Sequence, residues 1–139
     1  MSQDLENIRR GYEALSRLDL DAWLGDVCVD AELHEIAEMP DTAVYRGHDE
    51  LRRWVESRTE AIESWQWTPE EFIHEAGDTV LIRVRLNARG RGSGLPIEGV
   101  VFHVIEMKDA KLARVRGFLN REKALEAVGL SEQDAHADS

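Results

Sequence analysis

The sequence is poor in cysteine and in positive charge. Its 139 residues include a single cysteine, Cys28, so neither an intramolecular disulfide nor a cysteine-based zinc site can form. There are 17 Lys and Arg residues against 28 Asp and Glu, a formal net charge of -11. Binding to nucleic acid or to an anionic membrane surface requires clustered Lys and Arg. We therefore expect neither nucleic acid nor membrane as a partner.

Long hydrophobic runs are also missing. Although 42% of the residues are hydrophobic, no apolar run approaches the roughly 18 residues of a membrane helix. Residues 1–6 are polar and acidic and do not resemble a secretory signal. The length suits one domain with a sizeable core. We expect a single cytoplasmic domain over 1–130 and a disordered acidic tail over 131–139.

Helical spacing dominates the first half of the chain. Apolar residues that recur every three or four positions predict three helices, the first two capped by Ser2 and Asp19 and the third beginning at Gly47. Between the second and third helices, residues 31–36 alternate and predict a strand, and 39–46 is predicted to be a loop. The apolar faces of the second and third helices comprise Leu20, Trp23, Leu24, Val27, Leu51, Trp54, Val55 and Ile62, with Arg58 as a charged exception.

The second half changes to a period of two. Residues 80–89 alternate apolar and polar side chains, the strongest strand signal in the chain. Asn120 can cap a last helix, with Gly129 at its left-handed C-terminal position. Further strands are predicted over 65–76, 100–107 and 112–119. Helices followed by hairpin-connected strands predict an α+β fold, in which helices cover one face of a mostly antiparallel sheet.

Several short segments, taken in order, carry a resemblance to a known fold family. They are Leu18-Asp19-Leu20-Asp21-Ala22-Trp23, Asp30-Ala31-Glu32-Leu33, Tyr45-Arg46-Gly47-His48-Asp49-Glu50-Leu51, Ala76-Gly77-Asp78-Thr79-Val80, the glycine-rich 90–94 and 120–130. In this order and spacing they resemble the nuclear transport factor 2-like superfamily, in particular its SnoaL-like and ketosteroid-isomerase-like branch. The resemblance covers roughly residues 5–130.

The resemblance implies a cone, in which a strongly curved sheet wraps around three N-terminal helices and a short C-terminal helix follows. It also implies an apolar cavity at the wide end and, often, a homodimer built through the outer faces of the sheets. We therefore expect a small apolar molecule and a second copy of the chain as partners. No cofactor is expected. No metal is expected either, because the spacing of His34 with Glu32 or with His103 matches no recognisable metal motif.

Glu35 is the most pointed candidate for a catalytic residue. When the chain is aligned without gaps to the ketosteroid isomerases, Glu35 falls where those enzymes carry their general-base aspartate. A carboxylate that faces an apolar cavity is costly to ionise, and such a group can move a proton beside a carbonyl near neutral pH. The alternative is a solvent-exposed carboxylate at the end of a strand.

Tyr12 and His103 are the other candidate catalytic residues. In the same alignment the oxyanion-hole tyrosine of the isomerases falls on Gly11, and their protonated aspartic acid falls near Phe102. A shift of one residue turns a helical side chain by about 100° and moves a strand side chain to the opposite face. Tyr12 can still reach the cavity, whereas His103 requires a bulge or an alignment gap. Otherwise each is a satisfied core or interfacial residue.

Apolar side chains are expected to surround the ligand, with the tryptophans as the largest anchors. The candidate substrate-binding residues are Trp23, Trp54, Phe102, Val84 and Leu119. Four arginines alternate with apolar residues and are expected on the outer sheet face, paired with acidic side chains on a wet surface or at a dimer interface; an anion site is the alternative. They are Arg83, Arg85, Arg114 and Arg116.

Three functions remain open on the sequence. The first is a cofactor-independent isomerase, cyclase or dehydratase acting on a small apolar carbonyl, enol or hydroxylated ring compound. In it Glu35 moves the proton and Tyr12 or His103 polarises an oxygen. The second is a non-catalytic pocket that binds an apolar metabolite. The third is a dimerising domain whose pocket is filled by its own side chains. The Glu35→Gln variant separates the first from the second, because only turnover requires the carboxylate.

Overall fold

The computed structural model describes residues 3–39 and 42–130, and in these residues the chain forms four helices and six strands. The helices are α1 (Gln3–Ser16), α2 (Leu20–Gly25), α3 (Gly47–Thr59) and α4 (Arg121–Ala127). The strands are β1 (Val27–His34), β2 (Val44–Arg46), β3 (Ile62–Ala76), β4 (Thr79–Gly90), β5 (Pro96–Lys108) and β6 (Lys111–Phe118).

The strands form one open mixed sheet in the order β2-β1-β6-β5-β4-β3. Only the β1–β6 pair of this described sheet is parallel, and the other neighbours are antiparallel. The long β3–β4 pairing has register shifts at three points along β3, and such irregularities bend a strand and increase its twist. The predicted α+β fold with a mostly antiparallel sheet and a short C-terminal helix is confirmed.

The inner face of the sheet packs against the first three helices. On β4, Val80, Ile82 and Val84 are buried in one apolar cluster with side chains of α1, α2 and α3. The pairing of Ile82 with His103 on β5 places His103 on this inner face. The strand alternation predicted over 80–89 is therefore confirmed, and its apolar half faces the helices.

The outer face carries a second apolar cluster, which α4 covers. Leu81, Phe102, Val104 and Phe118 are buried there against Ala124 and Leu125 of α4. This second cover explains why the centre of β5 is apolar at consecutive positions, since both faces of the strand are buried.

The predicted ends of α4 are confirmed. The Asn120 side chain accepts a hydrogen bond from the Lys123 backbone N–H at 3.2 Å. Gly129 has φ 77°, the left-handed region that favours glycine. The Leu130 N–H donates to the Leu125 carbonyl at 2.8 Å, which completes the capping motif expected after a helix.

Several predicted boundaries were wrong. The predicted strand 31–36 ends at His34, so Glu35 follows it, and β5 begins at Pro96 and not at residue 100. Val27 belongs to β1 and not to α2, and Ile62 opens β3 instead of ending α3. At these two positions an apolar residue fits both periods, and pairing with a neighbouring strand decides between them. Residues 44–46, inside a predicted loop, form the short strand β2 through pairing with β1. The N-cap predicted at Ser2 and the tail predicted over 131–139 lie outside the described residues.

Candidate functional site

A cavity of about 480 Å³ lies between the first three helices and the inner face of the sheet. Helix α1 supplies Tyr12, β5 supplies His103, and the segment after β1 supplies Glu35. Most of the remaining wall is apolar. It includes all four tryptophans of the chain, Trp23, Trp54, Trp65 and Trp67.

The aromatic rings form a continuous cluster on the cavity wall, in which Trp54, Trp65 and Trp67 are all in mutual contact. Trp54 lies next to Trp23, with ring centroids 6.4 Å apart, and next to Trp65 at 5.9 Å. Trp65 meets Trp67 edge-on at 5.5 Å, and Trp67 meets the His103 ring at 6.0 Å. Such a wall offers flat apolar area to a ring compound.

Tyr12 and His103 form a hydrogen-bonded pair beside the Trp67 side of this cluster. The Tyr12 hydroxyl lies 2.6 Å from His103 Nδ1, and the two rings are nearly parallel at an angle of 11°. The residues are 91 positions apart in the sequence, so the contact depends on how α1 crosses the sheet. It satisfies the Tyr12 hydroxyl in the way expected of a core tyrosine.

Burial keeps both members of this pair uncharged near neutral pH. It raises the pKa of Tyr12 above its ordinary value and lowers the pKa of His103 to about 4, because desolvation penalises the charged form of each group. A neutral imidazole has one N–H donor and one acceptor nitrogen. The pair can therefore present a hydrogen-bond donor to the cavity without presenting a charge.

Glu35 follows β1 directly and lies at the cavity wall with its side chain 17% exposed. Its backbone N–H donates to the Ala43 carbonyl at 3.0 Å. Its carboxylate oxygen Oε2 is paired with the guanidinium of Arg58 on α3. No described residue hydrogen-bonds the other oxygen, Oε1.

Arg58 is the residue of this site that sequence reasoning did not assign to it. The signal was present, because Arg58 occupies a position of α3 where the helical spacing predicts an apolar side chain. In the structure it lines the cavity, with its side chain 42% exposed, and pairs with Glu35.

Two other titratable side chains of the cavity wall, Asp26 and His34, are already paired. Asp26 accepts two hydrogen bonds from Arg10, at 2.8 and 2.9 Å. His34 is bonded to Glu32 at 2.8 Å, and the hydrogen bond to His34 is the main reason that the pKa of Glu32 is lowered. His34 and Glu35 both line the cavity, and that they do not act together stays a prediction.

Three of the expected ligand-contacting residues lie elsewhere. Phe102 is on the outer face under α4, because His103 and not Phe102 has the inward parity on β5. Val84 is on the inner face but is fully covered by core side chains. Leu119 follows the end of β6 and is 46% exposed. Of the five, Trp23 and Trp54 line the cavity, and their role in binding stays a prediction.

The arginines predicted for the outer sheet face are largely paired with acidic side chains. Arg83 and Arg85 both approach Glu70, at 3.6 and 3.0 Å, and Arg114 pairs with Glu106. Residues 3–39 and 42–130 contain no cluster of three or more His, Cys, Asp or Glu side chains that could hold a metal ion. None of the helices in the same ranges is long and apolar enough to cross a membrane.

Comparison with known families gives one match that spans most of the chain. Residues 8–115 match the model of the SnoaL-like domain. The chain belongs to the SnoaL-like family. The resemblance inferred from the sequence is therefore confirmed, and the fold of this SnoaL-like protein is that of its structural neighbours.

Similar proteins differ in what they are known to do. Phenazine biosynthesis protein PhzA2 of Pseudomonas aeruginosa is 28% identical over 127 residues, which cover 88% of this chain and 75% of that protein. A nuclear transport factor 2-like protein of unknown function from Burkholderia pseudomallei has a TM-score of 0.75 at 20% identity and covers 95% of this chain and 99% of its own.

A protein of Mycobacterium tuberculosis, solved in complex with estradiol-17β-hemisuccinate, has a TM-score of 0.73 at 18% identity and covers 87% of this chain and 96% of its own. At these identities the solved structures show the fold alone, because one fold supports many functions.

Proposed function

We propose that this SnoaL-like protein binds a small apolar ring compound that carries a carbonyl oxygen and catalyses proton transfer on it without a cofactor. The observation that carries the proposal is one cavity that holds a carboxylate, Glu35, and a neutral hydrogen-bonding pair, Tyr12 and His103, among aromatic walls. Isomerisation, cyclisation and dehydration all need such a proton transfer beside a polarised oxygen.

The cavity supports the choice of ligand. Its volume of about 480 Å³ is typical of sites for small molecules, which are mostly apolar with a few placed polar groups. A related fold holds a steroid derivative in the Mycobacterium tuberculosis protein, and a relative takes part in phenazine biosynthesis. Both named compounds are fused-ring molecules, and a ring system of this kind would pack against the tryptophan cluster.

Glu35 is the proposed base, and Arg58 is its proposed positioning residue. The guanidinium holds one carboxylate oxygen and leaves Oε1 without a described partner. In the proposed step, Oε1 accepts a proton from the carbon next to the carbonyl. The electron pair of that C–H bond forms a C=C bond with the carbonyl carbon, and the π pair of the C=O bond moves onto the oxygen to give an enolate. The same carboxylic acid then returns the proton to a different carbon or to the same one.

Hydrogen exchange on a simple bicyclic ketone tests this proposal without knowledge of the natural substrate. We expect the protein to accelerate exchange of the α-protons of 2-tetralone in D₂O, followed by proton NMR. Removal of a general base typically costs about 10²–10⁴-fold in rate, so Glu35→Gln should bring exchange close to the buffer rate. The matched control, Glu63→Gln, changes an exposed carboxylate on β3 and should exchange like the wild type.

Ketone binding is measured in the same samples by tryptophan fluorescence, because all four tryptophans line the cavity. If Glu35→Gln binds the ketone and exchanges it at the wild-type rate, Glu35 is not the base. If the wild type binds the ketone but does not accelerate exchange, the protein is a binding pocket and not an enzyme on such ketones. If it binds no ring ketone, the proposed ligand class is wrong.

We also propose a homodimer through the outer face of the sheet, where Arg83, Arg85 and Arg114 lie with their acidic partners. The chain has a mass of 15.8 kDa, so light scattering of the eluted protein separates monomer from dimer. A monomer that persists at high protein concentration would contradict this proposal.

A further inference from the structure

We propose that His103, protonated on Nε2, is the group that donates a hydrogen bond to the carbonyl oxygen of the ligand, and that Tyr12 is a positioning residue that fixes this tautomer. The inference rests on the proposed function, because it assigns the chemistry of the same cavity. It also limits the ligand class to ring compounds whose hydrogen-bond acceptor oxygen lies at the end of the ring system that meets His103.

The direction of the Tyr12–His103 hydrogen bond decides which group faces the ligand as a donor. The distance of 2.6 Å between Tyr12 Oη and His103 Nδ1 permits two arrangements. In one the phenol donates to Nδ1, and in the other an Nδ1–H donates to the phenol oxygen. A phenol is a stronger acid than a neutral imidazole N–H, and an unprotonated imidazole nitrogen is the stronger acceptor. The phenol therefore donates, and the proton of the neutral ring lies on Nε2.

The surroundings of His103 favour a neutral ring. The ring is desolvated, and it lies next to the rings of Tyr12 and Trp67, with centroids 5.8 and 6.0 Å away. The two carboxylates that line the cavity are already paired, Glu35 with Arg58 and Asp26 with Arg10. No unpaired carboxylate among the described lining residues draws a second proton onto the imidazole.

The position of Nε2 makes it available to a ligand. His103 lies on the inner face of β5 and lines the cavity. Its Nε2 has no hydrogen-bond partner among the described residues and is not one of the fully buried polar atoms. The Tyr12 hydroxyl has a single proton, and that proton is used by Nδ1, so Tyr12 cannot donate to the ligand at the same time.

Nitrogen NMR of the full chain tests the tautomer independently of any ligand or activity. Long-range proton–nitrogen correlation of the ¹⁵N-labelled protein distinguishes a protonated from an unprotonated ring nitrogen. The chain has five histidines, so the signal of His103 is identified by its loss in His103→Gln. We expect Nδ1 unprotonated and Nε2 protonated from pH 6 to pH 8. A ring protonated on Nδ1, or one that is doubly protonated in this range, would overturn the inference.

Two ligands of similar shape test the donor role. 2-Tetralone carries a carbonyl oxygen, whereas tetralin has a methylene group in its place, and tryptophan fluorescence follows the binding of both. A net hydrogen bond of this kind corresponds to roughly a tenfold preference for the ketone. We expect His103→Leu, which has no side-chain donor, and Tyr12→Phe each to reduce the preference at least threefold. Tyr45→Phe, the matched control on β2 outside the cavity, should leave it unchanged.

The outcomes separate this inference from the proposed function. If neither compound binds to the wild type, the proposed function is wrong, and the donor role falls with it whatever the tautomer. If both bind equally well and proton exchange still requires Glu35, the proposed function stands and the donor role of His103 is refuted. Should Tyr12→Phe fail to fold, the tautomer of the wild type and the preference of His103→Leu still decide the result.

Discussion

His103 should make the free energy of unfolding depend on pH. The substitution His103→Gln should remove this contribution. Burial lowers the pKa of His103 from 6.5 to about 4 in the folded chain. Between these two values the unfolded chain binds more protons than the folded chain, so stability falls as the pH is lowered. The contribution of the neutral ring is complete above pH 6.5 and is lost as the pH falls towards 4.

The size of the effect follows from the two pKa values. At pH 4.5 the imidazole of the unfolded chain is about 99% protonated, whereas that of the folded chain is about one quarter protonated. The corresponding loss of unfolding free energy between pH 7.5 and pH 4.5 is about 2.5 kcal/mol. Because the ring is open to the cavity, part of the desolvation penalty is relieved, and we expect about 2 kcal/mol.

Urea unfolding followed by tryptophan fluorescence measures this loss at pH 7.5 and at pH 4.5. The wild type should lose about 2 kcal/mol more than His103→Gln over this interval. All other titrating groups are common to the two proteins, so their contributions cancel in the difference. Equal losses in the wild type and the variant would refute the claim that the folded chain holds His103 neutral.

Three other predictions test separate parts of the structure. Asn120→Ala removes the side chain that caps α4 and should lower the free energy of unfolding by about 1 kcal/mol; an unchanged urea midpoint would contradict the cap. Gly129→Ala places a Cβ at φ 77° and should cost about 1 kcal/mol by the same assay. Arg58→Gln should slow 2-tetralone exchange, because it frees the Glu35 carboxylate to rotate. The control Arg52→Gln removes an ion pair with an exposed aspartate on α2 and should leave the exchange rate unchanged. Equal rates in the two variants would show that Arg58 does not position the base.

Local patterns predicted the elements whose signals lie close together in the sequence. The alternation over 80–89 became β4, and Asn120 and Gly129 bracket α4. In each case the deciding physics acts within a few residues: the period of two of a strand, a capping side chain and a left-handed glycine. The order of such elements was enough to indicate the family.

Local patterns could not predict which side chains of β5 point to the inner face of the sheet. Residues 100–105 are apolar at nearly every position, so alternation does not distinguish the inner from the outer face. The burial of Phe102 depends on α4, which packs on the outside of the sheet. Register with β4 then places His103 inside, without the bulge that the ungapped alignment demanded.

The polar contacts of the cavity were beyond sequence reasoning for a similar reason. Glu35 follows the end of β1, whereas its partner Arg58 lies on α3. Tyr12 and His103 are in contact although 91 positions separate them in the sequence. A candidate residue can be named from its type and its place in an element. Its partner depends on the angle at which a helix crosses the sheet, and no local pattern carries that angle.

A crystal structure of the protein grown with saturating 2-tetralone would show whether the ketone binds at the proposed catalytic residues. We predict that the ring packs against the tryptophan cluster, that the carbonyl oxygen lies within hydrogen-bond distance of His103 Nε2, and that an α-carbon lies beside the Glu35 carboxylate. A ketone bound outside the cavity, or inside it with its oxygen turned away from His103 and its α-carbons away from Glu35, would contradict the proposed mechanism.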